Sequence, residues 1–309
     1  MSRIYEALKR IATEKQASSA GTPAPPLAPA SDHAASRSLD ILRSPGTGAP
    51  ANVAPAPAFP ELRKQFAQPG WSLAASGNVF ASPSLCAEQF RKLRSHLYRL
   101  RSREPIRAVQ ITSALPGEGK TFTAFNLALA IGRDRGRRAL LVDADLRVSR
   151  LAVYLGAPGG PGLSEVLRGA ATEGSVIQAD AQSDLCFMPA GDPVKNPTEL
   201  LAGGRFHSLL ERLAPMFDWI IVDTPPVLPV SDAGVLAGAC DGALVVVRAA
   251  ATGYDQVEAA LKELPPGKVL GVVLNRAEED LPRGAYEYYA GMADSRPAFR
   301  SPGSRRLLP

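Results

Sequence analysis

The stretch SALPGEGKT (residues 113–121) follows the apolar run AVQIT (108–112) and leads into the helical pattern TFTAFNLALAI (121–131). Strand, glycine-rich turn and helix, in that order, are the setting that a phosphate-binding loop requires. Gly117 and Gly119 let the backbone turn its amides inward and approach phosphate oxygens closely, and the start of the helix adds partial positive charge. The expected nucleotide-contacting stretch is Pro116, Gly117, Glu118, Gly119, Lys120, Thr121 and Phe122. Lys120 would reach the β and γ phosphates, and the Thr121 hydroxyl would hold Mg2+. The strict pattern G-x-x-x-x-G-K-[ST] has glycine where Ala114 stands, so only the context identifies this loop.

Outward from the loop, further buried-strand runs alternate with helical patterns: ALLVD (139–143), LCFMPA (185–190), WIIVD (219–223), ALVVV (243–247) and VLGVVLN (269–275). Short apolar runs separated by helices predict an α/β fold, a doubly wound and mostly parallel sheet with helices on both faces and the ligand beyond the carboxyl ends of the strands. Asp143, Asp145 and Asp223 fall at those ends. An isolated aspartate there commonly caps the next helix. Three beside one phosphate loop point instead to Mg2+ ligands, because Mg2+ takes hard oxygens and needs only one or two carboxylates beside phosphate. A third carboxylate is then free to act as a base.

Composition bounds the rest. The chain has 309 residues, 45% hydrophobic and 21% charged, which excludes collagen, coiled coil and a wholly disordered polymer. Eleven prolines fall between Pro23 and Pro83, so residues 17–82 read as a Pro/Ala-rich disordered linker. Residues 1–16 ahead of it read as a short amphipathic helix, with Ile4, Leu8, Ile11 and Ala12 on one face. The three cysteines show no C-x-x-C spacing, so neither a disulfide framework nor a zinc site is indicated and a reducing cytoplasm fits. No apolar stretch is long enough to span a bilayer, and the charged N-terminus lacks a signal-peptide core. Lys and Arg outnumber Asp and Glu 15 to 7 over residues 1–107 and fall short, 20 to 23, beyond them. Clustered charge of that kind is more often a solvated surface than a ligand site, and nothing in the motifs asks for nucleic acid.

A helical stripe begins at Ser84, with Leu85, Phe90, Leu93, Leu97 and Leu100 on one side. It opens the expected catalytic domain, residues 83–276. Residues 277–309 follow as a flexible tail, in which Tyr286, Tyr288 and Tyr289 sit among glycine, proline and charge. A packing role for these rings is the alternative to exposure.

Taken together, SALPGEGKT (113–121), ALLVDADLR (139–147) and DWIIVDTPPVLPVSDA (218–233) resemble the Walker A, Walker A′ and Walker B motifs of bacterial tyrosine kinases. These are P-loop autokinases, of the same fold type as the ParA/MinD ATPases, that control polysaccharide synthesis and export. The resemblance covers roughly residues 84–290. It implies ATP and Mg2+ as cofactors, Lys120, Asp143, Asp145 and Asp223 as catalytic residues, and Thr121, Asp145 and Asp223 around the metal. It also implies Tyr286, Tyr288 and Tyr289 as phosphate acceptors, phosphorylated in trans. Glu88, Arg91 and Arg94 match the family's E-x-x-R-x-x-R segment, which helps assemble a ring; an ordinary helical ion-pair ladder explains the spacing equally well. Asn275 resembles an asparagine that contacts adenine in related ATPases, with a turn residue after a strand as the other reading. Arg147 and Asp232 match family positions without a role that sequence supplies. One departure stands out: after DADLR the family commonly has a proline, whereas Val148-Ser149-Arg150 follows here.

A phenol with a pKa near 10 is protonated at neutral pH, so a carboxylate near the acceptor oxygen would assist its proton's departure. Asp143 is the candidate base, and Asp145 and Asp223 then act through Mg2+. The partners implied by the resemblance are a membrane-bound polysaccharide chain-length determinant or co-polymerase as activator, further copies of the chain in a ring, and a tyrosine phosphatase. A cytoplasmic chain held at the inner membrane through its partner is the matching location. The competing function is a ParA/MinD-type ATPase switch for positioning or partitioning. Such switches carry an extra lysine five residues before the main one, where this chain has Leu115, and they leave the tyrosine cluster unexplained.

Overall fold

All six expected strand runs lie side by side in one sheet, and all but the edge run VLGVVLN are buried along almost their whole length, as strands covered on both faces must be. The computed structural model describes residues 78–81 and 84–277, except 135, 158, 159, 181 and 182, together with Lys64 and Phe66. The strands are β1 (Ala108–Ser113), β2 (Ala139–Asp143), β3 (Gln178–Ala179), β4 (Leu185–Met188), β5 (Trp219–Asp223), β6 (Gly242–Arg248) and β7 (Val269–Asn275). They form one seven-stranded sheet in the order β3-β4-β2-β5-β1-β6-β7. Every pairing is parallel except that of the two-residue β3 with β4. The sequence had not indicated β3.

Alternation along the strands divides the core into two layers. Leu140, Val142, Ile220 and Val222 face one side, where they meet α4 (Leu163–Arg168), α6 (Pro197–Ala202), α7 (Arg205–Leu213) and α8 (Asp232–Ala239). Leu141, Trp219, Ile221, Leu244 and Val246 face the other, against α1 (Leu85–Arg101) and α2 (Lys120–Gly132). The remaining helices are α3 (Leu151–Leu155), α5 (Glu173–Val176) and α9 (Tyr254–Lys262). The doubly wound expectation is thus met, with helices on both faces.

Helix α2 is buried from Thr123 to Gly132 without a break, since α1 covers the side that the sheet does not. Its last turn touches the sheet so closely that a Cβ at Gly132 would lie 2.9 Å from the Leu185 backbone nitrogen, which explains glycine there. Ser84 caps α1 by accepting from the Ala87 N–H at 3.1 Å. Phe90 and Leu97 of the predicted stripe are buried, whereas Leu85 at its start is 39% exposed. At the other end of α1, Tyr98 stacks on Trp219 with centroids 5.6 Å apart, and Arg101 lies over the same indole.

The expected N-terminal helix over 1–16 and the tail tyrosines Tyr286, Tyr288 and Tyr289 lie outside the described residues. Of the expected linker 17–82, a few positions are described, and they touch the domain. Phe66 is buried and stacks on Phe217 at 6.0 Å. The Val79 N–H donates to Asn126 Oδ1 at 3.1 Å.

Candidate active site

The glycine-rich loop leaves β1, and the two aspartate-bearing loops leave β5, which pairs with β1, and β2, which lies on the far side of β5: Asp143 is the register partner of Asp223, and Asp223 pairs with Ile111. Parallel strands bring all three carboxyl ends to one edge, so the fold itself gathers the motifs. Gly117 and Gly119 have φ of 81° and 100°, the left-handed region that glycine reaches without strain. Helix α2 begins at Lys120 with no side-chain cap, so its first N–H groups have no partner within the helix and point toward the place a phosphate would take.

Lys120 is 14% exposed, and its Nζ lies 3.2 Å from Asp145 Oδ2. The Thr121 hydroxyl donates to Asp223. Asp143 is fully buried; its Oδ1 accepts from the Asp145 N–H at 3.2 Å, and its Oδ2 accepts from the Ser149 hydroxyl at 2.8 Å and the Leu151 N–H at 3.3 Å. Burial pushes both Asp143 and Asp223 well above the usual carboxylate range. At Asp223 the nearby Lys120 works against that rise, and at Asp143 the bond from Ser149 does so.

The donor set fits a hard cation. Asp223 Oδ1 is buried and has no hydrogen-bond partner, although the Thr121 hydroxyl sits on the same carboxylate. No group of three or more His, Cys, Asp or Glu among the described residues could hold a metal alone. A Mg2+ ion is commonly completed by substrate phosphates and waters, which suits a site of this kind.

With this geometry in view, the comparisons are specific. The chain is 34% identical over 194 residues to tyrosine-protein kinase YwqD of Bacillus subtilis, a match that spans 62% of this chain and 81% of that protein. The chain belongs to the bacterial tyrosine-protein kinase family. It is also 37% identical over 174 residues to tyrosine-protein kinase CpsD of Streptococcus agalactiae serotype III, covering 55% of this chain and 75% of that one. Among solved structures, the kinase domain of the Escherichia coli tyrosine kinase ETK superposes with a TM-score of 0.62 at 29% identity, over 74% of this chain and 89% of that domain. No family model matches. Membership of a kinase family implies the use of a nucleotide.

The remaining described positions among those predicted for this tyrosine kinase lie on the loop and the start of α2, on β7 and on α1. Pro116 and Gly117 are exposed, whereas Glu118 is buried with its carboxylate turned away from the cradle. Phe122 packs edge-on against Phe90 and borders a groove of about 920 Å³ that also includes Gly119 and Asn275. Asn275 uses its amide to donate to the Glu118 carbonyl at 2.8 Å, and its Oδ1 accepts from the Arg276 N–H at 2.9 Å. It therefore serves the loop and its own turn. Glu88 and Arg91 pair on the exposed face of α1, at 40% and 45% exposure. Arg94 does not join them: a guanidinium N–H donates to the Ala130 carbonyl at 2.7 Å, fastening α1 to α2.

Two roles that sequence could not supply are now visible. Arg147 forms a two-pronged pair with Asp232, at 2.7 and 3.0 Å, and also donates to Thr198 at 3.0 Å. Asp232 is fully buried, so this pair ties the loop after β2 to α8. Arg147→Ala strands that carboxylate with only the Thr198 hydroxyl, and is expected to cost about 2–4 kcal/mol in urea unfolding. Arg147→Lys should recover only part of the loss, because an ammonium cannot bond both oxygens as a fork. The second role belongs to the departure after DADLR. The Val148 N–H donates to Asp145 Oδ1 at 3.0 Å and the Ser149 hydroxyl to Asp143, bonds that a proline at either position could not make.

Proposed function

We propose that this kinase transfers the γ-phosphoryl group of ATP, bound with Mg2+, to Tyr286, Tyr288 or Tyr289 of a neighbouring copy. By that means it would regulate the synthesis and export of a polysaccharide. The observation that carries the reading is the meeting of Lys120, Thr121, Asp143, Asp145 and Asp223 at the carboxyl ends of three adjacent strands. That collection has the parts phosphoryl transfer needs: amides and a cation for the phosphates, oxygens for the metal and a carboxylate for the acceptor's proton.

The loop amides and Lys120 bind and orient the triphosphate. Thr121 and Asp223, with Asp145 beside them, are the residues that would hold Mg2+. When bound, Mg2+ neutralises charge on the phosphate oxygens. Asp143 takes the phenolic proton as the phenolic oxygen bonds the γ-phosphorus and the bond from that phosphorus to the β–γ bridging oxygen breaks, releasing ADP. The Ser149 hydroxyl, donating to Asp143 Oδ2, orients that carboxylate for the transfer step. Lys120 bridges the cluster to the phosphates and leaves Asp145 when they arrive.

Transfer between copies is supported by tethering, since an acceptor on a neighbouring subunit is held at effective concentrations of about millimolar. Glu88 and Arg91, exposed on α1, are the candidate contacts between copies in a ring, with Arg94 supporting them from beneath. No helix among the described residues is long and apolar enough to cross a membrane. We assign activation to a membrane-bound co-polymerase and resetting to a tyrosine phosphatase.

Mass spectrometry of the C-terminal peptide after incubation with ATP and Mg2+, with and without an activating fragment, tests the proposal. Phosphate on Tyr286, Tyr288 or Tyr289 is the expected result. Steady ATP hydrolysis with no modified tyrosine, activator supplied, would favour the ATPase switch.

A further inference from the structure

We infer that Glu118 is a positioning residue: its carboxylate locks the nucleotide loop to the turn after β6, and Asn275 closes the lock from β7. A carboxylate inside a phosphate loop poses an electrostatic problem, because an anion aimed at the ligand would repel it. Here it is aimed elsewhere. Glu118 is 3% exposed, and its Oε2 accepts from the Leu115 N–H at 2.7 Å. Its Oε1 accepts from the Thr252 hydroxyl and from the Arg248 N–H at 3.4 Å.

These bonds are part of a closed circuit. From the loop, the Glu118 side chain leads to the turn 248–252; from that turn the Ala249 N–H donates to the Asn275 carbonyl at 2.9 Å. The Asn275 amide then returns to the Glu118 carbonyl at 2.8 Å. Two non-glycine residues within the circuit are held at positive φ, Ala250 at 55° and Arg276 at 56°. Such conformations persist where the surroundings over-determine them. Gly119 completes the fit, since a Cβ there would fall 2.0 Å from Asn275 Nδ2. The loop cannot slacken without disturbing both the turn and the last strand.

The inference deepens the proposed function and rests on its reading of residues 113–121 as the nucleotide loop. Glu118 does not touch the nucleotide; it fixes the curvature of the amides that do. Removing the carboxylate takes the shared acceptor from three partly buried donors and lets the loop sample other shapes. Nucleotide must then reorder the loop on binding, so apparent affinity falls with the fraction of competent loop, while saturating nucleotide restores the geometry. KM for ATP should therefore rise more than kcat falls.

The test uses the full chain, titrated with a fluorescent ADP analogue and assayed for tyrosine labelling over a range of ATP. Glu118→Ala is expected to weaken nucleotide binding by about tenfold or more, the loss of charge-assisted hydrogen bonds in a buried setting. Glu118→Gln keeps one acceptor oxygen and should recover part of it. Thr252→Val should weaken binding about threefold to tenfold, as one such bond is lost. The double variant Glu118→Ala, Thr252→Val should be no worse than Glu118→Ala, because both remove the same bond. Unchanged affinity in folded Glu118→Ala, additive effects, or a fall in kcat alone would overturn the inference. If Glu118→Ala does not fold, unchanged affinity in Thr252→Val overturns it instead. Wild-type protein that binds no nucleotide would sink the loop reading itself, a different failure.

Discussion

Lys120→Ala is expected to abolish tyrosine labelling, with the rate of transfer lowered by about a thousandfold or more. The size follows from where the cation sits. Lys120 is largely withdrawn from water, 3.2 Å from Asp145, in a cradle that also contains Asp143 and Asp223. Remove it and three carboxyl groups face an incoming triphosphate without the ammonium that now pairs with Asp145, so binding suffers as well as transfer. The Asp223 carboxyl, which Lys120 now draws down against burial, should rise further. Lys120→Arg restores charge on a bulkier, planar head instead of a compact ammonium and should recover nucleotide binding more than labelling. Quantitative mass spectrometry of the C-terminal peptide decides the matter: labelling within tenfold of wild type would remove Lys120 from the phosphates.

The architecture was legible because its signals are local. The central strands are short and mostly apolar runs, and the loop motifs stand at strand ends where a parallel sheet must gather them. What escaped was set by contacts that no local pattern announces. Ser149 and Thr252 are ordinary exposed-looking residues in sequence; only the fold brings Ser149 to Asp143 and Thr252 to Glu118, 134 residues away. Strand β3 is two residues long and exists through its pairing with β4, so no periodicity announces it. Arg94 has the spacing of a surface ladder, yet α1 lies on α2 and turns that guanidinium toward Ala130. Phe66 sits in a segment whose average composition is that of a linker, and an average conceals one aromatic side chain that packs.

Asp143→Asn is expected to slow transfer by about a hundredfold to ten-thousandfold, the range that a positioned proton acceptor supplies, while nucleotide affinity changes by no more than about threefold. The substitution is well matched to its surroundings. The amide oxygen can keep the bond from the Asp145 N–H, and the new N–H2 can donate to Ser149, whose hydroxyl rotates to accept. Only the weak contact from the Leu151 N–H at 3.3 Å loses its acceptor, so the fold should hold. Taking one negative charge from the cluster also eases the approach of a triphosphate, which opposes any loss of affinity. Asp223→Asn should behave differently, because Asp223 carries the buried oxygen without a partner that a cation would satisfy. Its loss should fall on nucleotide binding in the presence of Mg2+ and spare binding in the presence of a chelator. Titrations of both variants with and without Mg2+, set beside single-turnover labelling, separate the two roles: if Asp143→Asn loses affinity and transfer equally, the base lies elsewhere, and Asp145, already within reach of Lys120, is the carboxylate left to fill the role.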